Sequence, residues 1–302
     1  MLAKFRPIHL TWLIPAAVLL AAAVVLGANL LRATSGVQAF IEQFPGASEL
    51  PAGTPVGFPA WLNWQHFLSA FFLLFIIRTG WQVRTLKRPA AYWTRKNAGP
   101  FKTANPPVRI GLHVWLHLSM DILWVLNGLI FYVLLFSTGQ WARIVPTSWD
   151  IVPNAVSVAI QYASFDWPTE NGWINYNALQ VLAYFTTVFI AAPLAIITGI
   201  RTVPGLAGWW RRFDRIYPVG VARAIHYPVM IYFVLFIIAH VTLVFATGAL
   251  RNLNHMYAGR DDESWWGVGI FALSLLAMGA AWFVLRPPIL GSIAALTGNV
   301  RR

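Results

Sequence analysis

The stretch AIHYPVMIYFVLFIIAHVTLVFATG, Ala224–Gly248, decides how this chain is read. It is apolar for long enough to cross a bilayer, and it carries two histidines, His226 and His240. Fourteen residues of α-helix rise roughly 21 Å and turn to within about 40° of four full turns. Both imidazoles therefore leave one face of one helix, one towards each side of a membrane. Histidine is costly in lipid and is a functional candidate there by default.

Working outward, five further apolar runs reach the roughly 20 residues that span about 30 Å of hydrocarbon. With Ala224–Ala246 they are Ile8–Leu31, Ala60–Ile77, Ile110–Phe136, Asn177–Ile200 and Trp265–Leu285. The first is as long as a full span and lacks a clear small-x-small ending, so it reads as a span and not a cleavable signal peptide. The expected fold is all-α: an integral-membrane helical bundle of six transmembrane helices. Composition agrees, at 58% hydrophobic and 11% charged, with 16 Trp and 20 Phe. No separate soluble domain is expected. The outer connection Ser137–Tyr176 has room for a short helix on the membrane surface, and the basic inner connection Gly80–Val108 reads as solvated coil.

The net charge of +12 is distributed by side. Lys4 and Arg6, the eight basic residues from Arg78 to Arg109, the five from Arg201 to Arg223, and Arg286, Arg301 and Arg302 fall together, against Asp214 alone. The opposite connections hold Arg32, Arg143, Arg251 and Arg260 against Glu42, Glu49, Asp150, Asp166, Glu170, Asp261, Asp262 and Glu263. The positive-inside rule then puts both termini in the cytoplasm, in a plasma (inner) membrane protein. The positive charge orients spans among membrane lipid and needs no nucleic acid as partner.

Cysteine is absent, which excludes thiolate metal sites, Cys-ligated iron–sulfur clusters and covalently attached haem. Attention turns to the seven histidines. His9 and His255 sit at edges and read as interfacial. His66, near the outer end of the second span, matches His240 in depth. His113 and His117, four residues apart on one face of the third span, both match His226. Two cross-helix pairs result, His66 with His240 and His117 or His113 with His226. A haem iron takes two axial ligands on opposite faces of a planar ring, which flanking helices supply. A single zinc site needs its ligands in one sphere, and His226 and His240 are too far apart for that. Asp121, the one acid within a span, reads as a proton acceptor, as an orienting partner of His117, or as a protonated helix-to-helix bond. Arg109 and Arg223 read equally as partners of haem propionates and as anchors to lipid phosphate. Asn127, Tyr176, Asn177 and Gln180 are weaker candidates for cofactor edges.

At these residues the chain resembles the membrane cytochrome b subunits of formate dehydrogenases (the gamma subunit), nickel–iron hydrogenases and thiosulfate reductases. NWQHFLSAFFLLFIIRTG, Asn63–Gly80, looks like the first core helix of that family. WINYNALQVLAYFTTVFIAAPLAIITGI, with its Tyr-Asn-x-x-Gln opening, is similar to the third, and Ala222–Gly259 to the fourth. HLSMDIL fits the second loosely, because Asp121 stands where the family usually has a small residue. The resemblance implies a four-helix di-haem core over residues 58–259. Residues 1–57 would add a span and outer loop before it, and 260–302 a span and cytoplasmic tail after it. It also implies two non-covalent b-type haems, with His66, His117 or His113, His226 and His240 as iron ligands. Electron exchange between a quinone and a separate redox subunit follows, plausibly a molybdenum-cofactor enzyme on the outer face. Two other classes remain open: an ion-coupled transporter with the histidines and Asp121 as proton relay, and a haem-free membrane anchor. Among cytochromes, a ferric reductase or a donor to a methionine sulfoxide reductase-like protein is also open.

Overall fold

The computed structural model describes residues 7–99, 102–104, 106–167, 171–205 and 213–302. Lys4, Arg6, Glu170, Arg211 and Arg212, used above to set orientation, lie outside them. The protein is all-α, with six helices long and apolar enough to cross a membrane. Their outer surfaces are what lipid contact requires: Leu19 and Leu20 near the N-terminus, and Leu273 and Leu276 near the C-terminus, are each at least 65% exposed.

The chain packs as two compact units. One comprises Met1–Val56 and Gly139–Phe185. It contains α1 (Pro7–Arg32), α2 (Ser35–Gln43), α5 (Ile151–Ala163) and α6 (Ala178–Phe185). Ile151, Ala155, Ala178 and Val181 form its small core. Arg32 ties the end of α1 to the end of α5 by an ion pair with Asp166 and a 3.0 Å bond to Ser164. The short helix expected in the outer connection is thus present as α5. The start of α6 explains the Tyr-Asn-x-x-Gln motif. Asn177 Oδ1 accepts from the Gln180 N–H at 2.9 Å, and Gln180 Oε1 accepts from the Asn177 N–H at 3.1 Å. This reciprocal cap satisfies two donors that a helix start leaves bare. Tyr176, just before it, is half-buried against Arg143, and loss of water around it pushes its phenol above the ordinary range.

The second unit comprises Gly57–Thr138 and Thr186–Arg302. It contains α3 (Ala60–Thr85), α4 (Leu112–Ser137), α7 (Ala192–Thr202), the short α8 (Phe213–Ile216), α9 (Val219–Ala246), α10 (Ala249–Leu253), α11 (Trp266–Val284) and α12 (Pro287–Ala295). The C-terminal segment 260–302, read from the sequence as an addition to the core, packs within this unit. One cluster gathers Phe75, Leu112, Leu116 and Met120 with Leu290 and Ala294 of α12. Another gathers Ala191, Val229 and Phe233.

The fourth span is not uniform. Residues Thr186–Ala191 form a wide π-helical turn between α6 and α7. Its cause is Pro193, which has no N–H to return to the preceding turn. The Val188 carbonyl is taken instead by the Tyr132 hydroxyl at 2.6 Å.

The inner connection is more ordered than a solvated coil, which corrects the sequence reading. The second span continues to Thr85, and Tyr92–Arg95 forms strand β1. It pairs antiparallel with β2 (Arg109–Gly111) on one side and with β3 (Gly298–Arg301) on the other. Ile110, expected inside the third span, therefore lies in β2. Its aromatic and β-branched residues, Tyr92, Trp93 and Thr94, suit a strand. Trp93 sits over Gly298, where no Cβ would fit, and donates to the Ala294 carbonyl at 3.1 Å.

The connection between α10 and α11 closes on Asn254, which is fully buried. Its amide nitrogen lies within bonding distance of the Asp262 and Ser264 carbonyls, and its Oδ1 accepts from the Gly267 N–H at 2.6 Å. A Cβ on Gly267 would enter the backbone of Leu253 and Asn254. The Ser264 hydroxyl and N–H hold the Asp262 carboxyl below the usual carboxylate range. Asn63 of α3 bonds the His255 and Met256 carbonyls, fastening this connection to the second span. Asn254→Ala and Gly267→Ala are expected to destabilise the protein, the former by about 1–3 kcal/mol through orphaned buried groups. Thermal unfolding in detergent measures this as a fall in Tm relative to wild type.

Candidate functional site

All five span histidines lie in the second unit. His66 is on α3, His113 and His117 on α4, and His226 and His240 on α9. The structure brings four of them into two pairs. The rings of His66 and His240 stand 6.2 Å apart, centre to centre, and those of His117 and His226 stand 6.4 Å apart. His113 does not join the second pair. Its ring lies against the end of β2, where a Cβ on Gly111 would come within 2.7 Å of it.

The His117–His226 pair is held by a device that occurs twice. On α3, Thr79 donates to the Phe75 carbonyl one turn back at 2.6 Å, and its oxygen lies 2.8 Å from His117 Nδ1. On α7, Thr198 donates to the Leu194 carbonyl at 2.6 Å, and its oxygen lies 2.8 Å from His226 Nδ1. A hydroxyl has one proton. With that proton on the carbonyl, each threonine oxygen accepts, so each Nδ1 carries the hydrogen. The Nε2 of both rings is then the basic nitrogen, with its lone pair free to ligate or to take a proton.

Glycine follows each threonine. A Cβ on Gly80 would lie 3.4 Å from the His117 ring, and one on Gly199 would lie 3.4 Å from the His226 ring. The bare backbone lets the imidazole edge approach the helix. The repeated Ile-Ile-(Arg)-Thr-Gly endings of α3 and α7 were the sequence signal for these four residues, which histidine counting alone overlooked.

The His66–His240 pair has different surroundings. Phe236 stacks on His240 at 5.6 Å, and Tyr257 meets His66 edge-on at 5.9 Å. The Nδ1 of His66 is buried without a hydrogen-bond partner. A buried polar atom left so calls for a reason, and an unseen ligand is one.

No family model, curated protein or solved structure matches this chain. What the site is suited to must come from its geometry. With a metal–imidazole bond of about 2.0 Å and about 1.1 Å more to each ring centre, two imidazoles on opposite sides of one metal stand about 6.2 Å apart. The two pairs have this separation. Among the described residues, no group of three or more His, Asp or Glu side chains gathers as a tetrahedral site would require. Each pair could hold one metal ion between its two rings.

The other candidate residues resolve as follows. Asp121 Oδ2 lies 3.6 Å from His117 Nε2, beyond hydrogen-bonding distance, while Nδ1 belongs to Thr79. Thr79, and not Asp121, is therefore the group that orients His117. Arg109 lies in β2 with its guanidinium 3.9 Å over the Tyr92 ring. Arg223 is exposed, one turn before His226. Arg84, not singled out from sequence, stacks at 3.9 Å on Tyr227 and joins α3 to α9 beside His226. Asn127 bonds Ser69 at 3.0 Å and ties α4 to α3. Asn177 and Gln180 cap α6 as described. His255 stacks on Phe58 and bonds Asp261 at 2.7 Å, outside both pairs.

Gly80→Val and Gly199→Val are expected to crowd the imidazoles and cost about 1–3 kcal/mol as overpacking does. Gly128→Val and Gly279→Val are the controls, because an added Cβ there meets nothing within 4 Å. Thermal unfolding of the four variants in one detergent checks the contrast.

Proposed function

We propose that this protein is a di-haem b-type membrane cytochrome that relays electrons between the quinone pool and a partner redox subunit. The observation that carries the reading is the pair of ring-centre separations, 6.2 and 6.4 Å, each matching imidazoles on opposite sides of one iron. His66 and His240 are the ligands of one b haem, and His117 and His226 of the other. The resemblance to the cytochrome b subunits of formate dehydrogenase, hydrogenase and thiosulfate reductase supports the same four residues. When bound, two haems would supply one-electron transfer, and His226 and His240, which would help hold them, lie about 21 Å apart along α9.

The chain's own residues prepare that chemistry. Thr79 and Thr198 set the tautomer of His117 and His226, with Nε2 turned away from the threonines. Phe236, Tyr257, Trp124 and Phe233 line the histidine helices with rings. Such apolar surroundings keep water from the electron path. Oxidation of one quinol gives a quinone, two electrons and two protons, and the electrons leave singly to the partner.

The charge distribution supports cytoplasmic N- and C-termini in an inner membrane. His117 and His226 are then the inner pair. The acidic, Trp-rich connections on the opposite side suit a partner docked there, a molybdenum-cofactor oxidoreductase being the kind the resemblance implies. Arg109 and Arg223 serve best as anchors to lipid phosphate, since one rests on a tyrosine and the other is exposed.

A second reading is a proton-coupled carrier, favoured by the approach of Asp121 to His117 Nε2. Pyridine-haemochrome analysis of purified protein separates the two. Two haems per chain are expected for wild type and for His113→Ala. His66→Ala, His117→Ala, His226→Ala and His240→Ala are each expected to lose one. A colourless wild-type preparation removes the cytochrome and leaves the carrier.

A further inference from the structure

The threonine bonds of the His117–His226 pair have a redox consequence. His117 and His226 each donate Nδ1–H to a threonine oxygen whose own proton is spent on a helix carbonyl. The carbonyl polarises the hydroxyl, and the hydroxyl polarises the N–H. An imidazole so bonded is a stronger electron donor through Nε2. A stronger donor favours the ferric over the ferrous state.

We propose that Thr79 and Thr198 are positioning residues whose hydroxyls hold the His117–His226 haem at a lower reduction potential than it would have without them. This rests on the di-haem reading above.

Redox titration of the haem absorbance tests this in the full-length protein. Wild type is expected to titrate as two components. Thr79→Val and Thr198→Val keep the shape and remove the hydroxyl acceptor, and both are expected to raise the same one component and leave the other in place. Thr79→Ser and Thr198→Ser keep the hydroxyl and are expected to titrate as wild type. In a His66→Ala background a single component should remain, and adding Thr79→Val should raise it. Loss of one haem in a valine variant, with retention in the matching serine variant, also supports the role. Valine and serine variants that behave alike, or valine variants that raise neither component or both, overturn it. Failure of the underlying reading is visible separately, as wild-type protein without haem.

Discussion

An imidazole N–H inside a membrane has no water to bond, and the protein answers this need with a threonine hydroxyl charged from its own helix backbone. Much of the second unit follows from that constraint. The hydroxyl must sit on a helix neighbouring the histidine, one turn above a carbonyl that takes its proton. The helix carrying the histidine must present Nε2 on the other side. α3 meets these demands for α4, and α7 meets them for α9. Two helix pairs built in the same way then face each other across His117 and His226.

The part of this that the sequence displayed was set by period and length. Six runs of apolar residues match six helices because lipid thickness imposes one length on all of them. His226 and His240 announced themselves because helical geometry converts fourteen residues into one face and two depths. His66 followed from depth alone. The choice between His113 and His117 did not follow, because both share a helix face, and only the rotation of α4 against α3 decides which meets α9. Thr79 and Thr198 were visible as letters, yet their partners lie 38 and 28 residues away on other helices. The sheet was hidden for a like reason: β1 has four residues, and one of its partners comes some two hundred residues later. Local patterning says little about a strand whose stability comes from a distant tail.

The polar residues outside the pairs show how readily a functional motif and a folding device look alike. Tyr-Asn-x-x-Gln resembled a cofactor edge and is a helix cap. Asn254 sits beside His255 and closes a loop. Asn127 lies at mid-depth on a span and fastens two helices. In each case every polar atom named finds a protein partner, whereas the Nδ1 of His66 finds none. That contrast separates residues finished by the fold from one waiting for something else.

The wide turn at Thr186–Ala191 carries a consequence for α7. Each residue added to or taken from a helix rotates whatever follows by about 100°. Thr187 is fastened to Tyr232 of α9 by a 2.8 Å bond at the start of that turn. With this point fixed, shortening the turn by one residue would swing Thr198 about a quarter of the way round the axis and away from His226. The Pro193 defect thus acts as a phase adjuster, and at this place the number of residues matters more than their identity.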